Sequence, residues 1–276
     1  MMTTLETAVT EYVDVPGARL AYRRIGPFTA RPLVLLQHFT GTMDAWDPAV
    51  VNGLAKDRQV IVFNNAGVGS SGGTTPDNIE DMASYTEGLV EALGFPEVDL
   101  LGFSLGGFIA QIMAERKKVA IGKMVVAGSA PMGGEEHLLE VVGSAFAKQA
   151  ADIRLPLFFT PSGTGQAAAE AFVERASART QDRDPDKGDL VSDPQAKAII
   201  EWCARVDPDH GSLKKLKLPT LIVHGSDDTM FPSDNAYVMF KNMPDATLIL
   251  YPDSGHGALF QRPETFVAHV RTFLDF

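Results

Sequence analysis

The residues best suited to chemistry surround Ser104, in the segment Gly102-Phe-Ser-Leu-Gly106. A short apolar run with strand character, residues 98–103, precedes the serine, and a helical spacing of apolar residues follows it. A sharp strand-to-helix turn strains its central residue, and a glycine on either side keeps Cβ atoms away from crowded neighbours. Such a turn exposes the serine hydroxyl at the top of a sheet and directs the Leu105 N–H towards an oxyanion. The pattern therefore predicts a nucleophilic serine.

A serine hydroxyl becomes a good nucleophile when a base accepts its proton and an acid orients that base. His256 lies between two glycines just after an apolar strand, whereas the other histidines lie in helices, at a strand end or in an insertion. Asp227 and Asp228 both follow the strand 221–225. Because these groups come from the carboxyl ends of strands, they should share the sheet edge with Ser104. The residues alone leave either aspartate open as the acid.

The elements that must position these groups follow an α/β rhythm. Strand and helix patterns alternate up to about residue 130 and again from about residue 213, which predicts a doubly wound, mostly parallel sheet. Residues 131–212 carry helical patterns alone, at 135–150, 165–180 and 194–206, with Pro194 expected at the first position of its helix. The sequence thus predicts a core of residues 1–130 and 213–276 with an α-helical cap at 131–212. We expect the insertion to cover the site, because it leaves and re-enters at strand ends; a purely structural role is the alternative.

Taken together, these motifs resemble those of the α/β-hydrolase-fold serine hydrolases over almost the whole chain. The resemblance covers the serine turn, the acid turn Gly225-Ser-Asp-Asp-Thr-Met-Phe-Pro232 and the histidine loop Ser254-Gly-His-Gly257, and the insertion corresponds to the family's cap. It implies the chain order serine, acid, histidine. The family's spacing in the acid turn selects Asp228 over Asp227.

Two segments depart from the family pattern. Gln37-His38-Phe39 is similar to the family's His-Gly-aromatic loop, which implies that the Phe39 N–H is the second oxyanion donor beside Leu105. His38 then stands where a glycine is usual, either as a packing residue of the loop or as a group that narrows or polarises the pocket. The turn that begins at Asn64-Asn65 resembles a family turn, Asp-x-Arg-Gly-x-Gly-x-Ser, with its charged residues replaced by neutral ones, which puts a family ion pair in question.

The resemblance implies ester hydrolysis through an acyl-enzyme, and the cap sequence suggests an apolar substrate. Met132, Phe158 and Trp202 would line the underside of the cap next to His38, or else form the cap's own core. We therefore expect a carboxylesterase for small to medium apolar esters. The same triad also serves C–C bond hydrolases, lactonases and perhydrolases, and the fold serves hydroxynitrile lyases, cofactor-free dioxygenases and small-molecule receptors with little turnover.

Composition bears on possible nucleic-acid binding, cofactors and localisation. A net charge of −11 disfavours nucleic-acid binding. The single cysteine, Cys203, cannot form an internal disulfide, and no cluster of His, Cys and carboxylate residues has metal-ligand spacing, so neither a metal nor an organic cofactor is expected. The first residues lack a signal-peptide pattern, and no segment has the ~18 apolar residues of a membrane span, so we expect a cytoplasmic protein. Its expected partner is a small-molecule substrate, and the protein itself is expected to be a monomer or a homodimer.

Overall fold

In the part of the chain that the structure describes, one eight-stranded sheet forms the centre of the molecule. The computed structural model describes residues 3–134, 152 and 154–276. The sheet has the order β1-β2-β4-β3-β5-β6-β7-β8, in which β2 is antiparallel to both of its neighbours, β1 and β4, and the other neighbouring pairs are parallel. The strands are β1 Glu11–Val15, β2 Ala18–Ile25, β3 Leu33–Leu36, β4 Val60–Phe63, β5 Val98–Phe103, β6 Ile121–Ala127, β7 Thr220–Gly225 and β8 Ala246–Tyr251. The predicted doubly wound, mostly parallel sheet is confirmed.

Helices cover both faces of the sheet, as continuous apolar strands such as β3 and β4 require. One face carries α2, α3 and α8, and the other carries α1, α9 and α10. None of the helices in the described residues is both long and apolar enough to span a bilayer. The helices outside the insertion are α1 Pro48–Leu54, α2 Ile79–Ala92, α3 Leu105–Arg116, α8 Asp234–Asn242, α9 Ala258–Gln261 and α10 Pro263–Asp275.

The insertion between β6 and β7 is helical in its described part. It contains α4 Arg154–Phe158, α5 Gly163–Ala176, α6 Asp189–Ala204 and α7 Gly211–Lys214. The helix predicted at 135–150 lies outside the described residues.

The expected start of helix α6 at Pro194 is wrong, because the helix begins at Asp189 and Pro194 lies inside it. Proline removes an N–H that would otherwise bond to the carbonyl of Leu190. Since Leu190 is exposed, water can satisfy that carbonyl and the helix tolerates the proline.

The parallel strands bring several loops to one edge of the sheet. The loops that follow β3, β5, β7 and β8 contain residues 37–42, Ser104, Asp228 and His256 respectively. Because the carboxyl ends of parallel strands meet at one edge, residues that are far apart in the sequence become neighbours there.

Candidate active site

The turn at Ser104 has the strained geometry that its sequence predicts. Ser104 has φ 55° and ψ −118°, between the end of β5 and the start of α3. A Cβ at Gly102 would collide with the carbonyl of Gly106, and a Cβ at Gly106 would collide with the carbonyl of Leu36. Glycine is therefore required at both positions, because the helix passes directly against the neighbouring strand.

His256 and Asp228 form a buried hydrogen-bonded pair. The His256 Nδ1–H donates to Asp228 Oδ2 at 2.8 Å, and the side chains of both residues are almost completely buried. A carboxylate only accepts hydrogen bonds, so in neutral His256 the proton lies on Nδ1 and the lone pair on Nε2. This Nε2 is buried and has no hydrogen-bond partner within the described residues. It is therefore available as a base.

Asp228 is held as a carboxylate by the donors around it. The backbone N–H groups of Met230 and Phe231 donate to Oδ1 at 2.9 and 3.0 Å. Burial opposes ionisation, but His256 and His224 outweigh it and hold the pKa of Asp228 well below its usual value. Asp227, the alternative acid, is exposed and accepts a bond from the hydroxyl of Ser226. The structure thus places Asp228, and not Asp227, against the histidine.

Ser104 and His256 both lie against the segment that follows β6. The Ser104 N–H donates to the Ala127 carbonyl at 3.0 Å, and the Ser129 hydroxyl donates to the Ser104 carbonyl at 2.9 Å. Between these two partners lies Gly128, where a Cβ would be 3.5 Å from His256 Nδ1. Residues 127–129 therefore lie next to both the serine turn and the histidine loop.

The loop after β3 contains the Phe39 N–H, the second predicted oxyanion donor. The His38 N–H bonds to Gln37 Oε1, the Thr40 N–H to Gln195 Oε1 and the Gly41 N–H to the His38 carbonyl. The Phe39 N–H has no such partner among the described residues. The Leu105 N–H starts helix α3, where no intrahelical carbonyl is available to it. These are the two donors that the sequence predicts for the oxyanion hole.

His38 belongs to this loop, and its imidazole is neutral and buried. Its Nδ1–H donates to the Phe39 carbonyl at 2.8 Å, which leaves the lone pair on Nε2. Burial, assisted by the charges of Arg154 and His256, lowers the pKa of His38 to about 3. Its Nε2 has no partner within the described residues. Of the two roles left open by the sequence, the structure supports one directly: the ring braces the backbone of its own loop.

The cap contributes Phe158 to the site. The Phe158 ring contacts His38 at a centroid distance of 5.2 Å and His256 at 5.6 Å. Its carbonyl accepts the Gly257 N–H at 2.9 Å. A Cβ at Gly255 would lie 2.8 Å from the Phe158 carbonyl oxygen, and one at Gly257 would lie 2.6 Å from the Phe158 Cβ. The two glycines beside His256 thus let the cap approach it closely.

Trp202 packs against helix α3. Its ring is fully buried, stacks on Phe108 at a centroid distance of 4.9 Å and donates from Nε1 to the Pro131 carbonyl at 3.1 Å. Met132 is half-buried and packs against the same apolar cluster. These contacts favour packing, the alternative that the sequence left open for both residues; substrate contact by either one stays a prediction.

Two large grooves open at the surface, and one of them borders the site. A groove of about 750 Å³ runs along the outer side of α4 and reaches Asp227, Thr229 and Gly255. A groove of about 820 Å³ lies along α2 and includes none of the predicted site residues in its lining. The first groove therefore reaches the loop that carries His256, since Gly255 is next to it in the chain.

Sequence reasoning missed two residues that touch this machinery. His224 lies at the end of β7, and its Nε2–H points to both Asp228 Oδ2 at 3.1 Å and the Phe231 carbonyl at 2.7 Å. The four-residue separation from Asp228, within one turn-forming segment, is a signal that could have found it. Gln195 of α6 is 155 residues from its partner Thr40, and no local pattern reveals that contact.

Comparison with known proteins assigns the chain to a family. A family model described as alpha/beta hydrolase fold matches residues 31–263, and the chain belongs to that family. An alpha/beta hydrolase fold protein from Chitinophaga pinensis is 40% identical, with 99% of each chain covered and a TM-score of 0.93. A non-heme chloroperoxidase from Burkholderia pyrrocinia is 28% identical over 94% of this chain and 97% of its own length. A 2-hydroxy-6-oxo-6-(2'-aminophenyl)hexa-2,4-dienoic acid hydrolase from Metapseudomonas resinovorans is 22% identical over 97% of this chain and 91% of its own. Family and relatives support a hydrolase without choosing among its reactions.

Proposed function

We propose that this chain is a serine hydrolase that cleaves small to medium apolar carboxylic esters through an acyl-enzyme. The observation that carries the proposal is the His256–Asp228 pair. The hydrogen bond at 2.8 Å puts the His256 proton on Nδ1 and leaves, beside the serine turn, a buried Nε2 that has no partner among the described residues. This arrangement suits general-base activation of a hydroxyl.

In the proposed mechanism, Ser104 Oγ attacks the ester carbonyl while His256 Nε2 accepts its proton. The N–H groups of Phe39 and Leu105 stabilise the oxyanion, and each donor contributes on the order of 3 kcal/mol. The protonated His256, balanced by Asp228, then gives its proton to the leaving alcohol. Water activated by the same imidazole attacks the acyl-enzyme, and the acid is released.

The preference for an apolar substrate rests on the rings around the base. Phe103, Phe158 and Phe231 contact the His256 ring at centroid distances of 5.2, 5.6 and 5.6 Å. These buried rings make the surroundings of the base apolar, which favours an uncharged acyl or aryl group over a charged one.

The test is the hydrolysis of p-nitrophenyl esters from acetate to dodecanoate by the wild-type protein and by Ser104→Ala. We expect turnover that peaks at one chain length and disappears in the variant. A fluorophosphonate probe, which reacts with an activated serine whatever the substrate, serves as the second readout.

Absence of turnover on every ester, with Ser104 still reactive to the probe, would refute the esterase assignment and keep the nucleophile. A C–C bond hydrolase, a lactonase or a perhydrolase would then be tested with its own substrate class. A receptor would show a reactive serine and slow turnover on all of them.

A further inference from the structure

We infer that Gln195 of the cap is a positioning residue for the oxyanion hole, so that the hole is complete only when helix α6 is seated. The inference rests on the proposed function, because it concerns the donor that Phe39 would supply. It starts from one contact, the hydrogen bond from the Thr40 N–H to Gln195 Oε1 at 2.6 Å.

With two further hydrogen bonds, this contact holds both the N–H and the carbonyl of one peptide unit. The N–H of the Phe39–Thr40 peptide bonds to Gln195, and its carbonyl accepts bonds from His38 Nδ1 and Thr40 Oγ1, each at 2.8 Å. Peptide units are planar, so holding both the N–H and the carbonyl fixes the orientation of the unit.

The preceding peptide unit carries the proposed donor. In the His38–Phe39 unit, the carbonyl accepts the Gly41 N–H at 3.0 Å, while the Phe39 N–H is free among the described residues. Its direction depends on the torsion angles of Phe39, which join this unit to the one that Gln195 holds. Gln195 therefore acts on the oxyanion donor through a single residue.

The loop needs such support because its conformation is unfavourable. Thr40 has φ 57°, a left-handed value that β-branched residues rarely adopt. Strained residues persist only where surrounding contacts hold them. The Gln195 side chain is 4% exposed, so its bond to the loop is shielded from competing water.

Helix α6 is also attached to the core at its other end, which offers a matched control. Arg205, just beyond the helix, forms a two-point ion pair with Glu80 of α2 at 2.6 and 2.9 Å. Glu80→Gln weakens the seating of the same helix without touching the loop of residues 37–42. A general effect of cap stability would appear in both variants, whereas a specific effect on the oxyanion loop would appear only in Gln195 variants.

The experiment measures the second-order rate at which a fluorophosphonate modifies Ser104, because this reaction builds negative charge on a phosphoryl oxygen in the same hole. Removing one oxyanion donor costs about 10²–10³-fold, and misaligning one should cost less. We expect Gln195→Met to slow modification about tenfold while Glu80→Gln stays within twofold of wild type. For esters, Gln195→Met should lower kcat and leave KM within about twofold. Should Gln195→Met fail to fold, as judged by its melting temperature, Gln195→Ala removes the same acceptor without added bulk.

Modification of Gln195→Met at the wild-type rate would overturn the inference and leave the proposed function intact. Equal slowing in Glu80→Gln and Gln195→Met would also overturn it, because the effect would then come from cap seating in general. A wild-type Ser104 that does not react with the probe would refute the proposed function, and the inference with it.

Discussion

Asp228→Asn is the change whose effect can be followed most closely through the structure. The carboxylate receives N–H groups from Met230 and Phe231 on one oxygen and from His256 and His224 on the other. An asparagine can offer an oxygen on only one side. The backbone donors cannot change, so the amide oxygen should face them and the NH₂ group should face the two imidazoles.

That arrangement forces His256 into the wrong tautomer. To accept from the NH₂ group, its Nδ1 must lose its proton, and the proton then moves to Nε2, where it blocks acceptance from Ser104. The equivalent change in a serine protease lowers kcat by about 10⁴-fold. We expect a similar loss here, which corresponds to about 5.4 kcal/mol of transition-state stabilisation. Hydrolysis of the best p-nitrophenyl ester, at saturating substrate, measures it.

Asp227→Asn is the matched control, because it makes the same chemical change one residue away. Asp227 is exposed and bonds to Ser226, so its variant should keep kcat within about twofold. Melting temperatures of both variants separate lost activity from lost folding. If Asp228→Asn kept kcat within tenfold of wild type while folded, or if Asp227→Asn lost more activity than Asp228→Asn, the assignment of the acid would be wrong.

Three further predictions concern packing and pH. Gly106→Ala forces a Cβ into the Leu36 carbonyl and should lower the melting temperature by about 10 °C or more. The control Gly163→Ala places its Cβ in open space and should change the melting temperature by less than about 2 °C. A similar loss in both variants would contradict the steric argument. The pKa of Asp228 is lower in the folded than in the unfolded protein, so ionised Asp228 adds stability that is complete above the ordinary carboxyl pKa near 4. This stability is lost as the pH falls through the folded-state pKa. Melting temperatures should therefore fall more steeply below pH 4 in wild type than in Asp228→Asn. Because the pKa of His38 is lowered to about 3, His38→Asn should change the rate but not the position of the pH–activity profile between pH 5 and 9, and a shifted profile would show that this imidazole titrates there.

The sequence predicts best those parts of the site that depend on local spacing. The serine turn follows from two glycines that flank Ser104, and their reason is visible in the structure as close approaches of backbone to backbone. The buried strands such as β3 and β4 follow from their continuous apolar patterns. The bounds of α6 were predicted less well, because Pro194 resembles a helix start and tertiary packing overrides that preference.

Contacts between the cap and the core lie beyond what local patterns can reveal. The bond of Gln195 to Thr40, the approach of Phe158 to His256 and the burial of Trp202 against Phe108 each join residues that are far apart in the chain. An apolar residue on a cap helix can face the substrate or the cap's own core, and the sequence treats both alike. Phe158 lies against His256, whereas Trp202 packs between the insertion and α3.

The turn at Asn64 shows why an apparent loss of charge need not be a loss of structure. Asn64 Oδ1 accepts the Met43 N–H at 2.8 Å while its Nδ2 donates at 2.6 Å to the carboxylate of Asp184, which comes from the insertion. An aspartate at position 64 could not donate and would place a second carboxylate against Asp184. The ion pair of this region is formed by other residues: buried Arg23 pairs with Asp44 at 2.6 Å, and the Asp184 N–H donates to the same Asp44 at 2.6 Å. The insertion thus supplies the carboxylate of this turn, and the amide is the side chain that can bind it while supporting the segment just after the oxyanion loop.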